Sequence, residues 1–129
     1  MKFIKAHSFP KSQHLIGAMT INQLFTGGDS FVVFPVRIIV AQVPKCNEPV
    51  KVLISVPKKY FKHAVDRNRY KRLLRETYRL QNKTLLKMVD AKTYSLHVAL
   101  VVVNAEKPTF SNTFRLMGKI MGKIEERLS

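Results

Sequence analysis

Hydrophobic residues recur along this chain with two different spacings, which predict where its helices and strands lie. Steps of three and four residues predict helices over residues 15–25 and 109–128. Runs rich in β-branched and aromatic residues predict strands over residues 30–42, 50–56 and 94–103. Together with a further helix between the second and third strands, this order predicts one sheet packed against helices.

Prolines and polar residues predict the boundaries of these elements. Pro35 cannot donate a hydrogen bond to a sheet, so we expect residues 30–42 to form an edge strand or to contain a bulge. Asp66 is expected to be the N-cap of a helix over residues 67–80, because its carboxylate can accept hydrogen bonds from free backbone N–H groups. Residues 83–92 are polar enough to predict a loop or a frayed helix end.

The composition is that of a small globular domain with a large positive charge. Hydrophobic residues make up 46% of the chain, enough for a buried core, and no linker interrupts it, so one domain over residues 1–129 is predicted. The 23 Lys and Arg residues outnumber the 8 Asp and Glu residues, which gives a formal charge of +15. Such a charge is typical of proteins that bind a polyanion, such as nucleic acid or an anionic membrane surface.

Cysteine usage and hydropathy indicate the setting in which the protein works. Cys46 is the single cysteine, so no intramolecular disulfide can form, and we expect a reducing cytoplasm. The longest apolar run, residues 98–103, is far shorter than the roughly 20 residues that a membrane-spanning helix needs. We therefore expect no segment that crosses a membrane.

Much of the positive charge lies in one segment, residues 58–79, where nine Lys or Arg residues face only Asp66 and Glu76, for a net charge of +7. The nine are Lys58, Lys59, Lys62, Arg67, Arg69, Lys71, Arg72, Arg75 and Arg79. At 100° per residue, a helix beginning at Arg67 places most of them on one face and its apolar residues opposite. Many charge runs are merely solvated helix faces, but those usually mix signs. This one favours phosphate binding by guanidinium groups.

The residues that a protein nuclease would need do not cluster in the sequence. Its eight acidic residues are scattered, whereas a two-metal phosphodiesterase needs several carboxylates around its ions. The four histidines show no metal-ligand spacing, so we predict neither a catalytic residue nor a metal site. Phe110 and Phe114 are expected in the core, and Gly118 and Gly122 are expected to allow close packing of the last helix on the sheet.

The basic segment also resembles a known family. Residues 55–79, SVPKKYFKHAVDRNRYKRLLRETYR, resemble the signature of the bacterial ribonuclease P protein subunit: paired lysines, an Arg-Asn-Arg and then a Lys-Arg. In this chain those are Lys58 and Lys59, Arg67 to Arg69, and Lys71 with Arg72. The segment Tyr60 to His63 departs from the pattern, because it is one residue longer than usual and lacks a glycine.

The resemblance implies an α+β fold and a function. The fold would be a single-domain α/β sandwich with a mostly antiparallel central sheet, about three helices and an unusual left-handed β-α-β crossover. The protein would be the RNA-binding subunit of ribonuclease P, an endonuclease whose RNA removes the 5′ leader from precursor tRNA, with Mg²⁺ bound mainly by RNA. Its partners would be the catalytic RNA and precursor tRNA, with no membrane or small-molecule substrate.

The resemblance also implies two groups of binding residues. Those expected to bind the catalytic RNA are Lys58, Lys59, Arg67, Asn68, Arg69 and Arg72. Those expected to bind the leader are Ile21, Phe25, Ser30, Ile39, Lys71 and Arg75. Phe25 is either a core residue or a platform on which a base stacks. Two alternatives to this function are a structural RNA-binding protein, such as a ribosomal protein, and a DNA-binding module.

Overall fold

The computed structural model describes residues 28–128, so the predicted helix over residues 15–25, with Ile21 and Phe25, lies outside the described residues. Its four strands are β1 (Asp29–Val33), β2 (Val36–Pro44), β3 (Val50–Ser55) and β4 (Tyr94–Val102). Its three helices are α1 (Ala64–Gln81), α2 (Lys83–Asp90) and α3 (Phe110–Leu128).

The four strands form one mixed sheet in the order β1-β2-β4-β3. The β1–β2 and β2–β4 pairs are antiparallel, whereas β3 and β4 are parallel neighbours joined through α1 and α2. The predicted α+β class and mostly antiparallel sheet are therefore confirmed, and the chain contains the expected β-α-β unit. The left-handed crossover stays a prediction.

The single strand expected over residues 30–42 is in fact a hairpin. β1 ends at Val33, the chain turns at Phe34 and Pro35, and β2 starts at Val36, directly opposite Val33. The Phe34–Pro35 peptide bond is cis, which is typical of tight turns with proline at the third position. The expected edge position is confirmed for residues 29–33, because β1 is an edge strand of the sheet, but no bulge is needed since Pro35 lies in the turn.

Two helix boundaries also differ from the prediction. α1 begins at Ala64, with His63 as N-cap, so Asp66 lies inside the first turn, where its negative charge stabilises the helix dipole. The stretch predicted as a loop or frayed end contains α2, an amphipathic helix that buries Leu85 and Val89. Tertiary burial of these two residues, one turn apart, outweighs the polar composition of the segment.

The main core lies between one face of the sheet and the helices. α1 contributes Tyr70, Leu74 and Tyr78 to it, and α3 packs against α1. Phe110 and Phe114 are not in this core: they are 47% and 40% exposed, with ring centroids 5.9 Å apart. Phe110 precedes Thr113, the first buried residue of α3, and Phe114 falls just outside the arc of the buried residues on the helix.

Several basic side chains tie the elements together. Lys45 donates hydrogen bonds of 2.8 Å to the carbonyls of Asp90 and Lys92, at the C-terminal end of α2. Lys92 in turn donates to the carbonyl of Leu128 at the end of α3, at 3.0 Å. Ammonium groups are favourable at these positions because helix C-termini carry a partial negative charge and free carbonyls.

The C-terminal end of α3 is also joined to the edge of the sheet. Arg127 forms a 2.6 Å ion pair with Asp29 and lies over the ring of Phe31, 4.3 Å from its centroid. Both partners belong to β1, so this arginine connects the last helix to the first described strand.

Candidate nucleic-acid interface

α1 has one buried and one cationic face, as predicted, but the cationic face is rotated from its predicted position. The exposed polar residues of α1 are Asn68, Arg69, Arg72 and Arg75, which we call the α1 ridge. Lys71 and Arg67 are only half-exposed, because the buried side chain of Tyr78 lies between them on the helical wheel. The exposed face is therefore centred between Asn68 and Arg69.

Arg67 makes its hydrogen bonds within the protein. Its guanidinium donates hydrogen bonds of 2.9 Å to the carbonyls of Phe61 and Lys62, in the connection between β3 and α1. The ring of Phe61 is buried and packs edge-on against Tyr70, with centroids 5.5 Å apart. Phe61 thus anchors the Tyr60 to His63 segment in the core, and Arg67 joins that segment to the helix.

Lys58 and Lys59 are exposed in the same connection, before the start of α1. The ammonium of Lys59 lies 5.0 Å from the centroid of the Tyr60 ring. Both lysines lie between the end of β3 at Ser55 and the start of α1 at Ala64, so they add positive charge on the N-terminal side of the helix.

The C-terminal end of the basic helix is partly neutralised. Arg79 forms a bidentate pair with Glu76, with distances of 2.5 and 3.2 Å. The hydrogen bond and charge of Arg79 lower the pKa of the Glu76 carboxyl, so the carboxylate remains ionised in the pair. The positive charge available to a partner is therefore concentrated in the ridge, N-terminal to Arg79.

The sheet face opposite the main core carries a second group of predicted residues. Ser30 pairs with Ile39, Ile39 with Ala99, and Ala99 with Leu53, so these residues form one row across all four strands. Paired residues point to the same side of a sheet. The predicted leader residues Ser30 and Ile39 are therefore neighbours.

Ile39 occupies a packing position in this row. It is 1% exposed and belongs, with Ala99, to a small apolar cluster flanked by Ala41, Leu53 and Val101. The exposed hydroxyl of Ser30 accepts a hydrogen bond of 3.4 Å from Arg37. Polar contact with a ligand at this end of the row is thus available to Ser30 and Arg37, while Ile39 supports the surface beneath them.

Sequence reasoning missed three basic or titratable residues on this face, which we call the second sheet face. Arg37 lies in the row next to Ile39, and Lys51 pairs with His97 in the row on the other side. Burial of the imidazole, and then the charge of Lys51, lower the pKa of His97. The period-two alternation of Arg37, Ile39 and Ala41 against the core residues Val36 and Ile38 would have identified this face.

The structure places Lys71 and Arg75 apart from Ser30 and Ile39. α1 packs on the main-core face of the sheet and contacts β3 at one edge, whereas Ser30 lies in β1 at the other edge. Three inter-strand spacings, about 14 Å, separate the two edges. A ligand touching both groups would have to extend across the sheet.

Two negative findings hold for residues 28–128. They contain no group of three or more His, Cys, Asp or Glu side chains that could hold a metal ion. Within the same range, no helix is both long and apolar enough to span a bilayer.

The protein is an α+β domain with a four-stranded mixed sheet. A cationic helix lies on one face of the sheet, and the other face is a mixed polar and apolar surface, an arrangement typical of domains that bind a polyanion. The chain belongs to the ribonuclease P protein family, whose model, described as Ribonuclease P, matches residues 9–125.

Individual relatives and solved structures agree with this assignment. The chain is 36% identical over 115 residues to a ribonuclease P protein component of Porphyromonas gingivalis, covering 88% of this chain and 84% of that protein. It is also 36% identical over 87 residues to one of Chlorobaculum tepidum, covering 63% and 55% of the two chains. Its fold is similar to that of the Staphylococcus aureus RNase P protein, with a TM-score of 0.65, 17% identity, and coverage of 92% of this chain and 100% of that chain.

Proposed function

We propose that this protein is the RNA-binding subunit of ribonuclease P and assists the catalytic RNA in removing the 5′ leader from precursor tRNA. The observation that carries this is the α1 ridge, in which Arg69, Arg72 and Arg75 lie exposed on one side of a helix of a ribonuclease P family member. The opposite side of α1 is held in the core by Tyr70, Leu74 and Tyr78. The buried side of α1 therefore fixes the orientation of the ridge toward solvent.

The ridge is suited to the backbone of a folded RNA. Guanidinium groups bind phosphate oxygens through two parallel N–H groups, and three of them within two helical turns match a run of phosphates. Asn68 adds an amide that can donate to a phosphate or read a base edge. Lys58 and Lys59 extend this contact at the N-terminal end of the helix.

The second sheet face is the proposed binding site for the leader. Ser30 and Arg37 offer a hydroxyl and a guanidinium at one side, and Lys51 offers an ammonium at the other. The half-buried side chains of Ala41, Leu53 and Val101 are the apolar surface of this face, around the buried Ile39 and Ala99. A single strand needs this mixture, because its phosphates attract cations while its bases favour apolar contact. Phe25 and Ile21 are proposed to join this contact from the segment outside the described residues.

The chemistry of cleavage is proposed to belong to the RNA. Hydrolysis of a phosphodiester by a ribozyme calls for divalent ions, and Mg²⁺ would be held mainly by RNA phosphates, for which it is a hard, oxygen-seeking partner. The protein would raise the affinity for substrate by holding both RNAs. We place this activity in the cytoplasm, where the free thiol of Cys46 would stay reduced.

Reconstitution tests the proposal. The purified protein is added to the ribonuclease P RNA of the same organism at low Mg²⁺, and 5′ cleavage of precursor tRNA is followed. We expect cleavage at Mg²⁺ concentrations at which the RNA alone is nearly inactive. A structural RNA-binding protein would bind RNA without stimulating cleavage, so the absence of stimulation would exclude the proposed function.

A further inference from the structure

A cavity lies at the end of the sheet where the β1–β2 hairpin turns, on the main-core side. Its volume is about 260 Å³, and it opens between the Val33 to Pro35 turn, Tyr70 of α1 and the first turns of α3. We call it the hairpin pocket. It is separate from the second sheet face, because Val33 and Tyr70 both belong to the main core.

The charges around this pocket are mostly positive. Lys107, Arg115 and Lys119 line it, and Glu106 is the acidic residue among its lining side chains. Within residues 28–128, none of these three cations has a recorded hydrogen bond or ion pair, unlike Lys45, Lys92 and Arg127. These three cations lie around one concave site and make no hydrogen bond or ion pair with the described residues, which favours an anionic ligand there.

An exposed aromatic ring lies at the same site. Phe34, at the tip of the hairpin turn, is 64% exposed although it lines the pocket. Exposed phenylalanine rings beside cationic residues are the arrangement on which unpaired bases stack while their phosphates are neutralised. Asn112, also in the lining, adds an amide that can donate to a phosphate or a base.

The pocket is adjacent to the α1 ridge. Tyr70, which lines the pocket, directly follows Arg69 of the ridge, and α1 packs against α3, which carries Arg115 and Lys119. An RNA bound along the ridge can therefore continue toward α3.

We propose that the hairpin pocket binds an unpaired nucleotide of RNA, with its phosphate among Lys107, Arg115 and Lys119 and its base stacked on Phe34. The nucleotide belongs either to the catalytic RNA or to precursor tRNA, so this inference rests on the proposed function.

The test uses a triple variant, Lys107→Ala with Arg115→Ala and Lys119→Ala, and separately Phe34→Ala. One arm measures binding to the ribonuclease P RNA across a salt series, and the other measures binding of precursor tRNA by the assembled holoenzyme. We expect the triple variant to lose about tenfold in affinity in one arm, with a salt slope smaller by about one unit for the phosphate contact that is lost. Phe34→Ala should lose about fivefold or more in that same arm.

Matched controls separate the pocket from general charge effects. The triple variant Lys83→Ala with Lys87→Ala and Lys123→Ala removes the same charge from exposed positions that do not line the pocket. Glu106→Gln should tighten binding, because it removes the lining carboxylate that repels phosphate, and it should do so more than Asp90→Asn elsewhere on the surface.

A loss confined to the first arm assigns the nucleotide to the catalytic RNA, and a loss confined to the second assigns it to the substrate. A loss of affinity in both arms would show that the pocket contributes to binding of both RNAs, which also supports the inference. If the pocket variants match their controls in both arms while substitutions in the α1 ridge still weaken binding, the pocket inference is overturned and the proposed function stands. If the ridge substitutions also have no effect, the proposed function fails as well.

Discussion

The guanidinium of Arg67 donates a 2.9 Å hydrogen bond to the carbonyl of Phe61, the residue whose ring packs edge-on against Tyr70. One arginine of the Arg-Asn-Arg motif therefore joins the β3–α1 connection to the helix. Arg69, two residues later, is exposed and makes no recorded hydrogen bond with the described residues. The two arginines of the motif therefore differ in their surroundings: Arg67 is bonded within the protein, and Arg69 faces solvent.

Replacing Arg67 by Ala should lower stability. The change removes two hydrogen bonds from a charged donor and leaves the carbonyls of Phe61 and Lys62 without this partner, at a cost of about 1–2 kcal/mol for a half-exposed group. Urea denaturation of Arg67→Ala and Arg69→Ala should show the loss in the first variant alone. Equal stabilities would contradict a structural role for Arg67.

Replacing Arg69, Arg72 and Arg75 by Ala should weaken binding to the ribonuclease P RNA and reduce its salt dependence. Each phosphate contact that is lost lowers the slope of log K against log salt by about one unit. The slope is measured by equilibrium binding at several salt concentrations, with Lys83→Ala and Lys87→Ala as a control in α2. An unchanged slope in the triple variant would show that the ridge does not contact phosphates.

The position of the basic helix could be predicted from the sequence, but the rotation of its face could not. Charge density and the Arg-Asn-Arg motif identified α1, and its apolar residues identified the buried side. The rotation follows from Tyr78. Its large ring is fully buried, so the exposed face is centred nearer Arg69, and Arg67 lies beside the core. A helical wheel places Tyr78 between Arg67 and Lys71, but whether the ring or the cations are buried there depends on tertiary packing.

Substitutions on the second sheet face should weaken binding of precursor tRNA more than binding of mature tRNA. Arg37→Ala removes the guanidinium beside Ser30, and Lys51→Ala removes the ammonium at the other side of the apolar row. If the leader lies here, both variants weaken holoenzyme binding of precursor tRNA by about 3- to 10-fold, with a smaller effect on mature tRNA. Equal effects on the two RNAs would place this contact on the tRNA body.

His97 should make the protein less stable in mild acid. Burial and Lys51 lower its pKa in the folded state below the unfolded value of about 6.5, so the unfolded chain binds the proton more tightly. The contribution of His97 is complete above about pH 6.5 and is lost as the pH falls through the folded pKa. His97→Gln should flatten the decline of Tm over this interval, and parallel curves for the two proteins would refute the assignment.

The two glycines of α3 should respond differently to alanine. Both are exposed, contrary to the expected packing on the sheet. A Cβ at position 122 meets nothing within 4 Å, so Gly122→Ala should stabilise the protein by about 0.5–1 kcal/mol through helix propensity. At position 118 it comes 3.0 Å from the side-chain oxygen of Gln81, which offsets part of the gain. Thermal unfolding should therefore rank Gly122→Ala above Gly118→Ala, and the reverse order would contradict this account.

The hairpin at Pro35 and the exposure of Phe110 show what local pattern could not predict. Residues 30–42 have uniformly strand-forming composition, so the turn depends on how β1 and β2 pair, with Val33 opposite Val36. Phe110 and Phe114 fit the helical spacing of a core face, yet Phe110 precedes the first buried residue of α3, Thr113, and Phe114 falls just outside the arc of its buried residues. In both cases the sequence pattern identified hydrophobic residues correctly. Which of them pair in the sheet or become buried depends on the element that packs against them.

The internal contacts of the basic side chains change how this protein's charge should be counted. Lys45 and Lys92 close the ends of two helices, Arg67 secures a connection, and Arg79 and Arg127 are matched with carboxylates. These side chains would keep their partners when RNA binds, so they would release few counterions from it. The 23 Lys and Arg residues are thus an upper limit on the number of phosphates that the protein can neutralise, and the measured salt exponent should count only the cations that are free to contact RNA.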